Sequence, residues 1–437
     1  MTRPFWVWLH RWFGLAMAGF LVIVGLTGSV LAFKDDLDLW LNPELLRVSP
    51  RDGAMLDPLL LREKAEALDP RYRVDETSLR IEDGRSFEAM LTPRAKVEPV
   101  KEIVAPPGII AGAFSGDAAR MIYLDPYTGE KLGERKLGDV SLARKNIIWF
   151  LYRLHMTLAL PEGYIGLGAR TLGVVALLWT VDCFVSFYLT FPLRRREGGQ
   201  GARKSWLSRW KPAWLIKWSG GAYRINFDIH RAFGLWTWAM LLVFAWSSVA
   251  FNLDEIYTPV NNALFGAPPP APPAPETPAR VAASEKPRLN WFEARERGRA
   301  LLAEEARRNA TTIKREKILV IDRSSGRYTL CADVIKAAEE QQNCVEFDAD
   351  TGERAPRTAP ATAEAERQRS ESITWWVTTL HMARVFGLPM KIFVCAMGFV
   401  ITALSVTGVY IWWKKRAARR FRKRQGAAAP LEATTAQ

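Results

Sequence analysis

Four stretches of the chain are almost free of charge, and each is long enough to cross a lipid bilayer. They cover residues 12–33, 171–193, 232–253 and 392–413. About 20 consecutive apolar residues span the hydrocarbon core as a helix. A soluble globular protein is therefore excluded, and we predict an α-helical integral membrane protein with four transmembrane helices.

The basic residues are concentrated beside these stretches. Residues 1–11, 194–226 and 414–437 hold 19 Lys and Arg but only 2 Asp and Glu. Basic segments that flank spans stay in the cytoplasm, so both termini and the middle loop are predicted to be cytoplasmic. The long connections 34–170 and 254–391 then lie on the other side, the periplasm if the membrane is a bacterial inner membrane. Because the membrane accounts for the basic charge, nucleic-acid binding is not expected.

The sequence contains an internal duplication. A His-Arg-x-Phe-Gly-Leu motif begins at His10, at the first span, and again at His230, at the third. A Leu-His-Met segment precedes the second span at His155 and the fourth at His381. Each half is therefore predicted to contain a span, a long exported segment, a Leu-His-Met segment and a second span.

The exported segments are predicted to form two small α+β domains, over 34–146 and 254–372. Apolar residues at helical spacing indicate helices over 56–68 and 291–309. Strands are predicted at 79–83, 86–92, 120–125, 317–322, 327–333 and 344–348. An Asp-x-x-Thr-Gly-Glu turn follows the last strand of the first domain and the last strand of the second. The Pro- and Ala-rich stretch 266–287 is predicted to be an extended linker.

The other divisions of the chain follow from the spans and the charges. They are helix 1 within 1–33, a Leu-His-Met segment with helix 2 at 147–193, a basic loop at 194–226, helix 3 at 227–253, a Leu-His-Met segment with helix 4 at 373–413, and a basic tail at 414–437.

The basic loop carries Trp206, Trp210, Trp214 and Trp218. This spacing favours an amphipathic helix at the lipid interface, with packing against the span ends as the alternative.

Two of the four cysteines lie in an exported segment, where disulfides are permitted. Cys331 and Cys344 flank a stretch, 333–343, that is predicted to include a short helix. We predict a disulfide between them, with two buried free thiols as the alternative. The sequence contains no Cys-x-x-Cys-His, which excludes a covalently attached c-type haem.

All four histidines of the chain occupy equivalent places in the duplication, each at or near a membrane boundary. His10 and His230 precede spans that run outward, so both are expected near the cytoplasmic face. His155 and His381 precede spans that run inward, so both are expected near the periplasmic face. Two imidazoles at one depth can ligate a haem iron axially, and we predict two b-type haems across the bilayer.

Several residues near the histidines have two interpretations. Arg11 and Arg231, like Arg153 and Arg384, are predicted to pair with haem propionates or with lipid phosphates. Met156 and Met382 offer alternative thioether ligands. Seven span glycines allow close approach of a macrocycle or of another helix, namely Gly14, Gly19, Gly25, Gly28, Gly234, Gly398 and Gly408. Asp182, the one charge inside the second span, is expected to relay protons or to bond to a neighbouring helix.

These motifs, together with the closing segment TGVYIWWKKR at 407–416, resemble the PepSY-associated transmembrane proteins. That group includes iron-regulated membrane proteins and inner-membrane ferric-siderophore reductases. The resemblance implies PepSY-like exported domains and two haems held by His10, His155, His230 and His381. It also implies electron transfer to a periplasmic ferric siderophore or another ferric chelate.

The chain contains no dinucleotide-binding motif, so a quinol or a cytoplasmic reductase is expected to supply the electrons. Two other functions fit the same motifs. One is a non-enzymatic envelope module that binds or restrains peptidases, and the other is an electron-transfer subunit for a different periplasmic acceptor. Bound haem would separate the reductase from the non-enzymatic module.

Overall fold

The computed structural model describes residues 2–94, 119–137, 139–193, 205–266, 287–323, 325–336, 339–354 and 372–427. The helices are α1 (Arg3–Leu31), α2 (Lys34–Leu41), α3 (Pro43–Leu46), α4 (Pro58–Ala67), α5 (Ile147–Thr157), α6 (Ile165–Thr190), α7 (Trp206–Trp210), α8 (Ala222–Trp236), α9 (Trp238–Asn252), α10 (Asp254–Phe265), α11 (Trp291–Asn309), α12 (372–381) and α13 (Gly387–Ala427). The strands are β1 (Tyr72–Arg73), β2 (Glu76–Ser78), β3 (Phe87–Pro93), β4 (Arg120–Leu124), β5 (Lys131–Lys136), β6 (Thr312–Asp322), β7 (Arg327–Lys336) and β8 (Glu339–Asp348). Most of the predicted linker, the start of the basic loop and the end of the basic tail lie outside the described residues.

Three helices are long and apolar enough to cross a membrane: α1, α6 and the part of α13 over Gly387–Phe421. The predicted third span is not one straight helix, because α8 and α9 meet at an angle of 70°. The bend lies at Thr237, and the indole of the next residue, Trp238, donates a hydrogen bond to the Cys183 carbonyl of α6 at 2.9 Å. The part of the chain that the structure describes therefore has three candidate spans, or four if the bent pair crosses as one.

The first helix, α1, packs closely against the last, α13. A Cβ atom added at Gly25 would lie 2.8 Å from the Gly398 carbonyl oxygen, so the two backbones touch where both residues are glycine. The Ser29 hydroxyl donates to the Cys395 carbonyl at 2.8 Å. Small residues that allow such contact are typical of membrane helix pairs, and here they fix the first helix against the last.

The first extramembrane unit is an antiparallel sheet of order β1-β3-β4-β5, with α4 packed on it. One contact of this unit with the helices is a buried ion pair between Arg135 of β5 and Asp38 of α2, at 2.6 Å. Arg135 also donates to the Tyr123 hydroxyl at 2.5 Å. Burial raises the pKa of Tyr123, which keeps this hydroxyl neutral beside the ion pair.

The second unit is an antiparallel sheet of order β2-β6-β7-β8, covered by α11. Its edge strand, β2, comes from the first half of the chain and pairs with β6, Thr77 opposite Leu319. This pairing corrects the predicted strand at 79–83, because the extended residues are 76–78 and they join the other sheet. The predicted helix over 291–309 is confirmed, with a capping box at Asn290.

Cys331 and Cys344 face each other on β7 and β8 and form the predicted disulfide. The short helix predicted within 333–343 is wrong, because β7 continues to Lys336 and β8 begins at Glu339. The backbone hydrogen bonds between the antiparallel strands β7 and β8 outweigh the helical propensity of the Ala- and Glu-rich residues within 333–343. The two Asp-x-x-Thr-Gly-Glu turns have matching geometry, with Gly129 at φ +74° and Gly352 at φ +69°.

Tryptophans of the basic loop pack against the end of α6. This contact favours packing against the span ends over the lipid-interface interpretation. Trp206 and Trp210 both lie 5.5 Å from the Phe191 ring, measured between ring centroids. The Trp210 indole donates to the Thr190 hydroxyl at 3.2 Å, whereas Trp218 is 69% exposed. Three of the four tryptophans therefore form one aromatic cluster, in which Trp214 meets Trp210 edge-to-face with ring centroids 5.1 Å apart.

Candidate functional site

The fold brings the four histidines together as two pairs. The rings of His10 on α1 and His230 on α8 have centroids 6.1 Å apart. The rings of His155 on α5 and His381 on α12 have centroids 6.3 Å apart. We name these the first pair and the second pair. These are the same two pairs that were predicted from the membrane depth of each histidine.

The spacing within each pair suits a shared metal. A metal–imidazole bond of about 2 Å, with the ring centre about 1 Å beyond the bound nitrogen, separates two axial imidazole centroids by about 6 Å. Both observed distances are close to this value. The centroid spacing of each pair is therefore compatible with one metal atom between its two rings.

The Nδ1 atom of every histidine already has a protein partner. In the first pair, His10 Nδ1 lies 2.9 Å from an Asp182 carboxylate oxygen, and His230 Nδ1 lies 3.0 Å from the Leu404 carbonyl and 3.1 Å from the Thr407 hydroxyl. No described residue hydrogen-bonds to Nε2 of any of the four. Partners of this kind orient metal-binding histidines, so Nε2 is the nitrogen presented for ligation.

Hydroxyl groups fill the same role in the second pair. The Thr27 hydroxyl lies 3.0 Å from His155 Nδ1, and the Ser247 hydroxyl lies 2.6 Å from His381 Nδ1. Our sequence interpretation missed these two supporting residues. The signal was present, because Thr27 follows His10 by 17 residues and Ser247 follows His230 by the same interval.

A cavity of about 430 Å³ opens beside the first pair, lined by α1, α6, α8, α9 and α13. Gly14 lies one helical turn after His10, and Gly234 lies one turn after His230; both line this cavity. A Cβ atom added at either glycine would meet no atom within 4 Å. The missing side chains therefore leave open space on both sides of the histidine pair.

A larger cavity, of about 990 Å³, contains the second pair. Met156 and Met382 line it beside the histidines, and it reaches beyond the helices to residues of both sheets. Those residues include Glu88 of β3 and Lys317 of β6. Burial raises the pKa of the Glu88 carboxyl. This cavity thus connects one histidine pair directly with both extramembrane units.

The two cavities share one wall. Leu21 of α1, Trp179 of α6 and Ile401 of α13 line both of them. The same three residues therefore border the open space around both pairs, and one of them, Trp179, is aromatic.

The arginines near the histidines differ in what they contact. Arg11 lines the first cavity and forms no ion pair with any described residue. Arg231 also lines it, but pairs with the buried Asp228 at 2.9 Å. Arg384 lines the second cavity, whereas the Arg153 guanidinium donates to the Leu160 carbonyl at 2.6 Å. Arg11 is therefore available to meet an anionic group in the first cavity, as is Lys415, which lines the same cavity.

Six of the seven glycines fall into three pairs, and Gly19 stands apart from them. Gly14 and Gly234 face open cavity space, whereas Gly25 and Gly398 form the contact between α1 and α13. Gly28 and Gly408 lie against imidazole rings: an added Cβ would be 3.1 Å from His155 Cε1 at the former and 3.2 Å from His230 Cε1 at the latter. Gly19 is exposed on α1 and has no atom within 4 Å of its Cβ position.

A family comparison agrees with these observations. A family model described as the PepSY-associated TM region matches residues 7–415. The chain belongs to this family. The match includes all four histidines, both cavities and the described parts of both sheets, so the PepSY-associated TM region is nearly the whole chain. No curated protein matches the chain.

Proposed function

We propose that this PepSY-associated TM protein carries electrons across the bacterial inner membrane and reduces ferric chelates, including ferric siderophores, in the periplasm. In this proposal two b-type haems are held by the two histidine pairs, and both termini lie in the cytoplasm. The two halves derive from one duplicated unit, each with a PepSY-like exported domain. The observation that carries the proposal is the matched spacing of the pairs, 6.1 and 6.3 Å.

The surroundings of the first pair fit a flat macrocycle. Gly14 and Gly234 leave open the space that side chains would otherwise fill, next to rings whose Nε2 atoms are free to bind iron. The cavity walls are largely apolar, with Met17, Leu235 and Leu241 among the lining residues. Haem binding requires axial ligands and an apolar pocket of this kind, and Arg11 is available for a propionate.

Bound haem would supply a one-electron carrier that alternates between Fe(III) and Fe(II). The protein contributes two binding sites rather than one because the hydrocarbon core is about 30 Å thick. The residues that line both cavities, Trp179 among them, support electron transfer between the two sites. The ligand nitrogens are held by neighbouring hydrogen bonds, so the histidines need not reorient when the iron changes charge.

The second cavity is the proposed docking place for the ferric chelate. It joins His155 and His381 to residues of both sheets, among them Glu88 and Lys317. One electron, supplied by a quinol or a cytoplasmic reductase, converts the chelated Fe(III) to Fe(II). Hydroxamate and catecholate oxygens are hard ligands that match Fe(III), so reduction weakens the complex and releases iron without destroying the chelator.

The decisive experiment is a spectrum of the purified full-length protein with haem counted per chain. We expect two non-covalent haems, a Soret band, and sharp α and β bands after reduction. A colourless protein that takes up no haem would overturn the proposal and favour an envelope-binding module. A two-haem protein that, once reduced, fails to pass electrons to any ferric chelate would instead serve another acceptor.

A further inference from the structure

Asp182 is the only carboxylate that hydrogen-bonds to a histidine within the part of the chain described by the structure. Both of its oxygens approach His10 Nδ1, at 2.9 and 3.0 Å. Its side chain is 9% exposed and lies in the middle of α6. A carboxylate inside an apolar helix is costly, and this contact supplies a specific partner for it.

The other three histidines have neutral partners at the same atom. His230 Nδ1 meets the Leu404 carbonyl and the Thr407 hydroxyl, and the second pair is supported by the hydroxyls of Thr27 and Ser247. The difference is also visible in the sequence. Asp182 follows His155 by 27 residues, and the residue 27 positions after His381 is Gly408. The carboxylate therefore makes the two pairs unequal.

A carboxylate that is hydrogen-bonded to Nδ1 has a known effect on the imidazole. The carboxylate accepts a hydrogen bond from Nδ1–H, which leaves Nε2 as the ligating atom and raises the basicity of that nitrogen. A more basic ligand next to a negative charge stabilises the oxidised form of a bound metal over the reduced form. Because the site is buried, water screens this charge poorly. A hydroxyl partner orients the ring in the same way but adds no charge.

We propose that Asp182, acting through His10, sets the reduction potential of the first pair's haem below that of the second pair's haem. This inference rests on the proposed function, since it requires both pairs to hold haem. Asp182 is then a positioning residue that makes electron transfer from the first site to the second downhill. The Asp182 side chain, which has no counterpart in the other half of the duplication, therefore sets the direction of electron flow.

A purely structural role for Asp182 is the competing explanation. In that case the carboxylate would anchor α1 to α6, and its removal would loosen the first site without a defined change in potential. The two explanations differ in what a neutral replacement of similar size does. Asp182→Asn keeps an oxygen that can accept the hydrogen bond from Nδ1–H and removes only the charge.

The experiment is a redox titration of Asp182→Asn, followed through the α band in the full-length protein. A His381→Ala background removes the second haem, so that the remaining signal belongs to the first. We expect Asp182→Asn to retain this haem and shift its midpoint potential upward, and Asp182→Glu to restore the low value. Ser247→Ala, measured in a His10→Ala background, should shift the second haem's potential much less.

The outcomes separate this inference from the proposed function. A wild-type protein without haem would refute the function itself. A two-haem protein whose first potential is the same in Asp182→Asn would refute only the role of Asp182. If Asp182→Asn loses the first haem, Ser247→Asp decides the matter by placing a carboxylate beside His381. A fall in the second potential then supports the inference, and an unchanged potential overturns it.

Discussion

The first and second histidine pairs have the same internal spacing and very different surroundings. The first lies beside a cavity of about 430 Å³ lined by residues of the helical bundle and its ends, and one of its members bonds to a carboxylate. The second lies in a cavity of about 990 Å³ that reaches both sheets, and its members bond to hydroxyls. The repeated feature is the ligand pair, and the variable feature is what surrounds it.

This contrast separates two tasks that a membrane electron carrier has to perform. The spacing of the imidazoles determines whether a metal can bind, and it is the same at both sites within 0.2 Å. In the proposed function the carboxylate of Asp182 sets the potential and the contact with the sheets gives access, and each occurs at one site alone among the described residues. Substitutions can therefore test binding, potential and access one at a time.

Removal of a ligand has the largest expected effect. We expect His10→Ala or His230→Ala to remove one haem per chain, and His155→Ala or His381→Ala to remove the other. Variants of the second pair should keep a first haem that is still reducible, but they should not reduce a ferric chelate. Haem quantification with a chelate-reduction assay measures both effects, and four variants that each keep two haems would refute the ligand assignment.

Filling the open space beside the first pair should have nearly as large an effect without touching a ligand. Gly14→Leu puts a side chain into the first cavity, where an added Cβ meets no atom. The protein should fold normally but lose most of its first haem, because the macrocycle and the leucine would compete for one volume. Gly19→Leu is the matched control, since Gly19 is equally open but exposed on the same helix.

The haem content of the two leucine variants decides this prediction. Gly19→Leu should retain two haems, and Gly14→Leu should retain one. Equal haem content in both would mean that the open space at Gly14 is not where a macrocycle lies. The second site serves as an internal standard, because its cavity does not include Gly14.

Features that depend on local pattern could be predicted from the sequence. The capped helix at 291–309 and the glycine turns at Gly129 and Gly352 belong to this class. The pairing of the histidines also followed from local pattern, because depth in a membrane is set by the nearest span. Each of these needed only neighbouring residues and the bilayer.

Features that depend on distant partners could not be predicted. The edge strand β2 pairs with a strand more than 230 residues later, Thr77 with Leu319, and nothing in its own sequence indicates that partner. The bend at Thr237 lies where the Trp238 indole bonds to another helix. The sequence could not identify the partner of Asp182 for the same reason. A proton relay and a bond to a neighbouring helix were equally consistent with a single buried charge.

Loss of a supporting hydroxyl should have a moderate effect confined to the second site. Ser247→Ala removes the group 2.6 Å from His381 Nδ1. Loss of such a partner typically weakens metal binding by about 10- to 100-fold, so we expect faster loss of the second haem to apo-myoglobin. Ser248→Ala is the control, because this hydroxyl lines the same cavity but donates to the Phe244 carbonyl instead. Equal haem loss in the two variants would remove the assigned role of Ser247.

The smallest expected effect comes from a single methyl group placed against one imidazole. In Gly28→Ala the new Cβ would lie 3.1 Å from His155 Cε1, and in Gly408→Ala it would lie 3.2 Å from His230 Cε1. Each ring then has to move by a few tenths of an ångström, which in the proposed haem sites would rotate the ring about its bond to the iron without breaking that bond. Both variants should keep two haems and full reducibility.

The measurable consequence is a change in the low-temperature electron paramagnetic resonance of the oxidised protein, whose g values depend on the relative orientation of the axial imidazole planes. The planes now differ by 54° in the first pair and by 88° in the second. Gly408→Ala should shift only the signal of the first pair, and Gly28→Ala only that of the second. Because the two glycines contact different pairs, a shift of the same signal in both variants would contradict the assignment of one haem to each pair.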